Sequence, residues 1–198
     1  QFDITNLDCE LSNLGLNRTA QLTIKGDLGI PGQTESSPWQ LQGESALDLD
    51  EQGTLTPYFN LDLNLKDLDL GAVKALLTAR NDLFSIEGTS DLHLHLDGST
   101  TSDIDFQIEL SSSKIALLPE HGYSKPILMQ NVLANGRLPT HADAPGINNL
   151  SLQIDESRMA GAINWTPPGQ LFSATVAVLN TKLSVPKLKK WLPDSQEV

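Results

Sequence analysis

Apolar and polar residues alternate with a period of two along most of the chain. The clearest examples are residues 61–65, with the sequence LDLNL, and residues 92–96, with the sequence LHLHL. Such alternation places apolar side chains on one face of a β-strand and polar side chains on the other. Similar segments recur along the chain and are separated by turn residues such as those at 51–53. The pattern predicts an antiparallel sheet with one apolar face and one polar face.

Two short segments have helical rather than strand periodicity. Residues 70–80 follow Asp69, and residues 184–192 begin with Ser184, both residue types that cap helix N-termini. Helices of this length are not stable in isolation, so each has to pack on an apolar surface. We therefore predict a mainly β fold: a long curved antiparallel sheet, forming an open groove or a flattened half-barrel, with two short capping helices.

Five glycines lie inside strand patterns instead of marking turns. Internal glycines are typical of bulges or bends, which allow a long sheet to curl, although ordinary strand irregularity produces the same pattern. These glycines are Gly26, Gly43, Gly88, Gly136 and Gly161.

The two helical segments belong to an internal repeat. A shift of 115 positions carries residues 68–77 onto residues 183–192, with apolar positions falling on apolar positions. This similarity predicts a single β-rich domain, 1–198, made of two similar strand–helix units at about 14–80 and 122–192. Chance similarity among leucine-rich strands is the alternative explanation.

Composition and charge exclude several classes of partner and site. The 198 residues include 13 Lys and Arg against 25 Asp and Glu, which leaves a formal net charge of −12. Such a charge repels phosphate backbones, so we expect no nucleic-acid partner. Cys9 is the single cysteine and can form neither an internal disulfide nor a zinc site by itself. No apolar stretch approaches the roughly 18–20 residues that a membrane-spanning helix needs.

One pair of histidines could in principle bind a metal ion. His93 and His95 are two residues apart on a predicted strand and share a face with Asp91 and Asp97. A stable site requires a third or fourth ligand in the correct geometry, and such residues more often form a solvated strand face. We therefore expect no metal and no cofactor.

Paired carboxylates are the other candidate chemistry. Residues two apart on a strand lie roughly 7 Å apart, as in Asp48/Asp50 and Asp103/Asp105. Inverting glycosidases separate their carboxylates by about 6.5–9.5 Å. The pairs nevertheless recur on strand after strand, which is typical of solubility and edge protection, and no motif for a nucleophile or a phosphate-binding loop is present. We therefore predict that the protein is not an enzyme, with an enzyme acting on glycans as a minor alternative.

Several phrases of the sequence resemble the AsmA-like family of Gram-negative envelope proteins. The similarity extends from about residue 14 to residue 192. It lies in the repeated pattern of strand-like segments, without a catalytic motif. The phrases are residues 22–28 (LTIKGDL), 90–98 (SDLHLHLDG) and 159–165 (MAGAINW), with the strand-to-helix junctions 68–73 (LDLGAV) and 183–188 (LSVPKL).

The resemblance implies both an architecture and a cellular role. AsmA-like proteins have a long sheet bent into a groove with an apolar inner face. The resemblance also implies a periplasmic location, an anchor in the inner membrane, and a role in phospholipid transport or outer-membrane homeostasis. The chain begins at Gln1 within a strand-like segment. We therefore expect it to be part of a larger, membrane-anchored parent protein whose remainder is a partner of this domain.

The apolar face of the predicted sheet is the candidate binding site. A sheet with one apolar face must cover it with another layer of protein or with a ligand, and acyl chains require only a smooth apolar surface. We predict a lipid-handling groove whose partners are phospholipid acyl chains. A closed sandwich core, in a structural or adhesive envelope domain without a lipid ligand, is the alternative. The predicted lining residues are Leu22, Ile24, Trp39, Leu41, Leu61, Leu63, Leu92, Leu94, Phe106, Ile108, Ile163 and Val176.

Overall fold

Within the residues that the structure describes, the alternating segments form eleven β-strands. The computed structural model describes residues 3–31, 33, 35–49, 53–72, 84–99, 101–119, 127–140, 146–165 and 174–182. The strands are β1 (Asp3–Ser12), β2 (Thr19–Gly29), β3 (Ser37–Leu49), β4 (Leu55–Asp69), β5 (Phe84–Glu87), β6 (Thr89–Ser99), β7 (Ile104–Pro119), β8 (Ile127–Leu138), β9 (Gly146–Ile154), β10 (Ser157–Trp165) and β11 (Ala174–Lys182).

All eleven strands belong to one antiparallel sheet. Its order is β1-β2-β3-β4-β6-β7-β8-β9-β10-β11, and the short strand β5 pairs with the C-terminal end of β7. Strands β1 and β11 are the outer strands of this path, and the sheet is open rather than closed into a barrel. The predicted fold class, a mainly β protein built on an open antiparallel sheet, is confirmed. The division into two similar units stays a prediction.

The first predicted helix begins where the sequence indicates. Residues 70–72 form a helical turn, and the Asp69 carboxylate accepts a hydrogen bond from the Ala72 backbone N–H at 3.1 Å, as an N-cap does. Residues 73–80 of this segment, and the whole of the predicted helix 184–192, lie outside the described residues.

Bulges accompany most of the internal glycines. Gly136 and Gly161 lie at register shifts, Gly26 lies opposite one in β1, and Gly88 separates β5 from β6 with a φ of 113°. Such irregularities bend strands and increase their twist. Gly43 is the exception, because its pairing with β2 and β4 is regular. Of the two explanations that the sequence leaves open, a bulge therefore does not apply at Gly43.

The buried core of the described residues lies at one end of the sheet. It occupies the C-terminal ends of β2, β4 and β7 and the N-terminal end of β8. Register shifts in β4, between Leu65 and Leu68, and in β7, between Ser111 and Ile115, bend the strands at this end. We call this end of the sheet the buried end and the opposite end the open end. The core residues are Ile30, Leu65, Leu68, Leu70, Ile115 and Met129.

Candidate functional site: the apolar face of the sheet

The strand register places the predicted lining residues on one face of the sheet. In the central row, apolar residues face each other directly from β2 to β10, without a polar side chain among them. The next row towards the open end contains Leu22, Gly43, Leu61, Leu96 and Phe106. The central row consists of Ile24, Leu41, Leu63, Leu94, Ile108, Ala134, Leu152 and Met159.

The remaining predicted residues extend this face in both directions. Trp39 pairs with Leu65, which pairs with Leu92, so these residues form the row nearest the buried end. Ile163 on β10 pairs with Val176 on β11, which continues the register to the outer strand. The side chain of Val176 lies outside the described residues.

The apolar face is only partly covered within the described residues. Every predicted lining residue with a described side chain is half-buried except Ile108, which is 36% exposed. In a closed sandwich, side chains at the middle of each sheet are fully buried between the two layers. The described residues do not form such a second layer over the central row. Complete burial is confined instead to the buried end and a few scattered positions.

Sequence reasoning did not identify the residues that close the buried end. Leu65, Leu68 and Leu70 belong to this core, and their spacing departs from strict alternation at the bulge in β4. This break in the alternation of apolar and polar residues, within an otherwise regular strand, is the sequence signal that could have marked where the half-exposed apolar face ends and the buried core begins. Trp39 packs against the core, and its indole N–H has no hydrogen-bond partner among the described residues.

The opposite face carries a histidine–carboxylate cluster. Asp62 Oδ1 lies 3.0 Å from His93 Nε2 and 3.0 Å from His95 Nδ1. Since a carboxylate accepts hydrogen bonds, each imidazole donates an N–H to it. Partial burial raises the pKa of Asp62, but the hydrogen bonds from His95 and His93 lower it more strongly, so the pKa of this carboxyl lies below its ordinary value. The cluster therefore favours an ionised Asp62.

This cluster predicts a small pH-dependent contribution to stability. The pKa of Asp62 is lower in the folded than in the unfolded chain, so its contribution is present above the unfolded pKa of about 3.9 and is lost as the pH falls through the folded pKa. Because the three side chains are about one-third exposed, we expect Asp62→Asn to lower the free energy of unfolding by about 0.5–1 kcal/mol at pH 7. Urea unfolding at several pH values measures this difference, which should shrink below about pH 4.

A neutral neighbour supplies the control for this prediction. Gln42 is the register partner of Asp62 on β3, and its side chain does not titrate. The effect of Gln42→Asn on the free energy of unfolding should therefore not vary with pH. An Asp62→Asn effect that is equally large at pH 7 and pH 3 would contradict the assignment.

Other polar contacts join neighbouring strands on the same face. Arg137 donates two hydrogen bonds to Asp105, its register partner, at 2.7 Å and 3.1 Å, and these bonds lower the pKa of the Asp105 carboxyl. The Tyr58 hydroxyl donates to Asp97, and this bond raises the pKa of Tyr58. Both contacts are largely exposed, so each contributes little to stability.

Two aspartates noted in the sequence have structural partners of their own. Asp105 pairs with Arg137, and the Asp69 carboxylate accepts the hydrogen bond that caps the helical turn. In the parts of the chain that the structure describes, no group of three or more His, Cys, Asp or Glu is arranged to hold a metal ion. Nor does any helix within these parts have the length and apolar character required to cross a bilayer.

Comparison of the chain with protein-family models, with curated proteins and with solved structures finds no match in any of the three. The candidate site is therefore defined by the geometry of the sheet: a wide apolar face, closed at one end and half-exposed over its central rows.

Proposed function

We propose that this protein is a non-enzymatic lipid-handling domain that holds acyl chains along the apolar face of its sheet. The observation that carries the proposal is the central row, in which eight apolar residues on neighbouring strands remain half-exposed or exposed. An apolar face of this width has to be covered by some apolar material, because its exposure to water is unfavourable.

The chemistry of the face favours hydrocarbon chains over a ligand with specific polar groups. The central row offers no side chain that could orient a hydroxyl, carbonyl or charge, whereas each buried CH₂ group contributes about 0.8 kcal/mol. Leucine is the commonest residue of this row, and it is less restricted at χ1 than Val or Ile. Such side chains can adapt to acyl chains that differ in length and conformation.

The lipid class and the cellular location come from the sequence resemblance. The AsmA-like rhythm supports a periplasmic domain that handles phospholipid, in transport or in outer-membrane homeostasis, as part of a membrane-anchored parent protein. Moving a lipid through an aqueous compartment also requires an apolar protein surface that covers its acyl chains.

A structural role without lipid is the second candidate, and the outer strand β1 favours it. All ten residues of β1 are exposed, and none of the described residues pairs with its outer edge. Such an edge can accept a strand from another protein. The two functions make different predictions for acyl-chain uptake.

Uptake of an acyl probe by the delipidated protein tests the proposal. We expect Leu63→Glu to weaken binding of a fluorescent fatty acid by at least about tenfold, because it places a charge in the centre of the apolar face. Leu63 is half-buried rather than enclosed, so the variant should remain folded by circular dichroism. Mass spectrometry of the purified protein should detect phospholipid bound to the wild type and much less bound to the variant.

Matched variants on the polar face separate site effects from general charge effects. Asn64→Glu adds the same charge one residue away, on the opposite face, and should leave probe binding within about twofold of the wild type. Phe106→Arg and Gln107→Arg form a second such pair with the opposite charge. Failure of the delipidated wild type to bind the probe, or unfolding of both apolar-face variants as in a closed core, would overturn the proposal.

A further inference from the structure

Five exposed leucines cluster at the open end of the sheet. Their exposed fractions range from 43% to 71%, whereas large apolar residues elsewhere on the apolar face are mostly half-buried. Two belong to the loop between β1 and β2, and three belong to the hairpin of β3 and β4. We call this group the leucine tip: Leu14, Leu16, Leu47, Leu49 and Leu55.

Backbone contacts hold the two parts of the leucine tip together. The Asn17 backbone N–H donates to the Leu47 carbonyl at 3.0 Å, and the Leu49 backbone N–H donates to the Asn17 side-chain oxygen at 3.0 Å. Asn17 adopts a positive φ of 55°, a conformation that asparagine tolerates better than most residues. The loop is therefore fastened to the end of β3, and its leucines are presented beside those of the hairpin.

The hairpin of β3 and β4 projects beyond the strands on either side of it. The last pair between β3 and β2 is Ala46 with Thr19, and the last pair between β4 and β6 is Tyr58 with Ser99. In the described strand pairing, residues 47–49 of β3 therefore pair with residues 55–57 of β4 but not with β2 or β6. Within the described residues, the end of this hairpin therefore extends past its neighbours β2 and β6.

The leucine tip continues the apolar face along β4, where Phe59 lies between it and Leu61. Leu49 pairs with Leu55 and Leu47 pairs with Pro57, on the same side of β4 as Leu61. An acyl chain that lay against the hairpin would therefore meet an apolar surface leading to the central row. On the other side of the hairpin lie polar residues such as Asp48.

We propose that the leucine tip inserts into the surface of a neutral phospholipid bilayer and is the point where acyl chains pass between the bilayer and the apolar face. This inference rests on the proposed function. Exposed aliphatic side chains on a loop and on the end of an adjacent hairpin are suited to the boundary between headgroups and acyl chains. The site thus couples membrane contact to the face that holds the lipid.

The charges around the tip determine the kind of bilayer surface. Among residues 13–18 and 47–55, Arg18 is the single basic residue, against Asp48, Asp50 and Glu51. The excess of negative charge, together with the net charge of −12, opposes approach to an anionic surface. Neutral, zwitterionic headgroups carry no such repulsion, so phosphatidylcholine or phosphatidylethanolamine vesicles are the matching surface.

Vesicle binding by the whole chain tests the inference. We expect Leu49→Ser/Leu55→Ser to weaken co-sedimentation with phosphatidylcholine vesicles by about tenfold, because two of the inserting side chains are lost. The control is Leu7→Ser/Leu128→Ser, which removes two leucines that are more exposed than Leu49 and Leu55 but lie away from the tip, and it should change binding by less than about twofold. Addition of phosphatidylserine to the vesicles should weaken binding of the wild type at low salt.

Uptake of a monomeric probe distinguishes this inference from the proposed function. In the absence of vesicles, the tip variant should bind a dispersed fluorescent fatty acid as tightly as the wild type does. In a separate assay with vesicles, the tip variant should extract less lipid than the wild type. If the wild type binds the dispersed probe but not the vesicles, or if tip and control variants sediment alike, the inference is overturned and the proposed function stands. A dimer in analytical ultracentrifugation that the tip variant converts to a monomer would assign the tip to self-association instead.

Discussion

Replacement of Ile115 by alanine should lower the free energy of unfolding by about 3–4 kcal/mol. Ile115 has an exposure of 0% and lies within the core at the buried end, where Leu68, Leu70 and Met129 are also buried. The substitution removes buried methyl and methylene groups and leaves a cavity that bent strands cannot easily close. Urea unfolding followed by circular dichroism measures the change, at unchanged slope.

An exposed residue on the neighbouring strand provides the comparison. Leu128 lies next to Met129, the register partner of Ile115, and is 60% exposed. We expect Leu128→Ala to change stability by less than about 0.5 kcal/mol. A loss below about 1 kcal/mol for Ile115→Ala would show that the buried end does not stabilise the sheet as its burial indicates.

Substitution of Gly43 by alanine should also be strongly destabilising. A Cβ atom added at Gly43 would overlap the Asn60 carbonyl oxygen and lie 2.9 Å from the Leu61 Cα. Both are backbone atoms of β4, so no side-chain rotation can relieve the overlap, and β3 and β4 must separate. We expect a loss of about 3 kcal/mol or more, measured by thermal or urea unfolding.

A second glycine in a strand serves as the matched control. A Cβ added at Gly29 would contact only Asp3, at an ordinary distance of 3.5 Å. Because alanine restricts the unfolded chain more than glycine does, Gly29→Ala should be neutral or stabilising by up to about 1 kcal/mol. Equal stability of the two alanine variants would be incompatible with the close approach of β3 and β4 at Gly43.

Alternation of apolar and polar residues predicted the sheet because most strands have one apolar face and one polar face, which requires a period of two. In residues 61–65 and 92–96, strict alternation gives strands with one apolar and one polar face, and these segments pair directly in β4 and β6. The antiparallel order follows from short connections between successive strands. The same logic placed Asp69 at the start of a helical turn, where its carboxylate accepts the expected hydrogen bond.

The pattern could not locate the buried end or the close approach at Gly43. Ile115 follows a register shift after Ser111, and the position of such a shift depends on contacts between strands rather than on the periodicity of one strand. The sequence left open whether Gly43 marks a bulge, whereas in the structure it lies where the backbone of β4 approaches β3 closely. Both features depend on distances across the sheet, which alternation does not specify.

The apolar face was predictable as a set of residues, but its exposure was not. Leu63 and Leu55 fall on the same face of β4 in the alternating pattern, yet Leu63 is half-buried among paired strands and Leu55 is 51% exposed. The difference arises because β4 extends past the end of β6, and the length of overlap between strands is set by the register. For this reason the leucine tip emerged only from the structure.

The sequential order of the strands has a consequence for how such a protein can change in size. Apart from the short strand β5, each strand pairs with the strands that precede and follow it in the chain. Strands β4 and β6, which β5 separates in the sequence, pair directly with each other. Pairing between neighbours makes the architecture nearly one-dimensional, as in repeat proteins. A hairpin gained or lost by mutation at an outer edge would leave the remaining pairings and their alternation unchanged. Duplication of hairpins could thus lengthen or shorten the hydrocarbon-binding surface in steps of two strands during evolution.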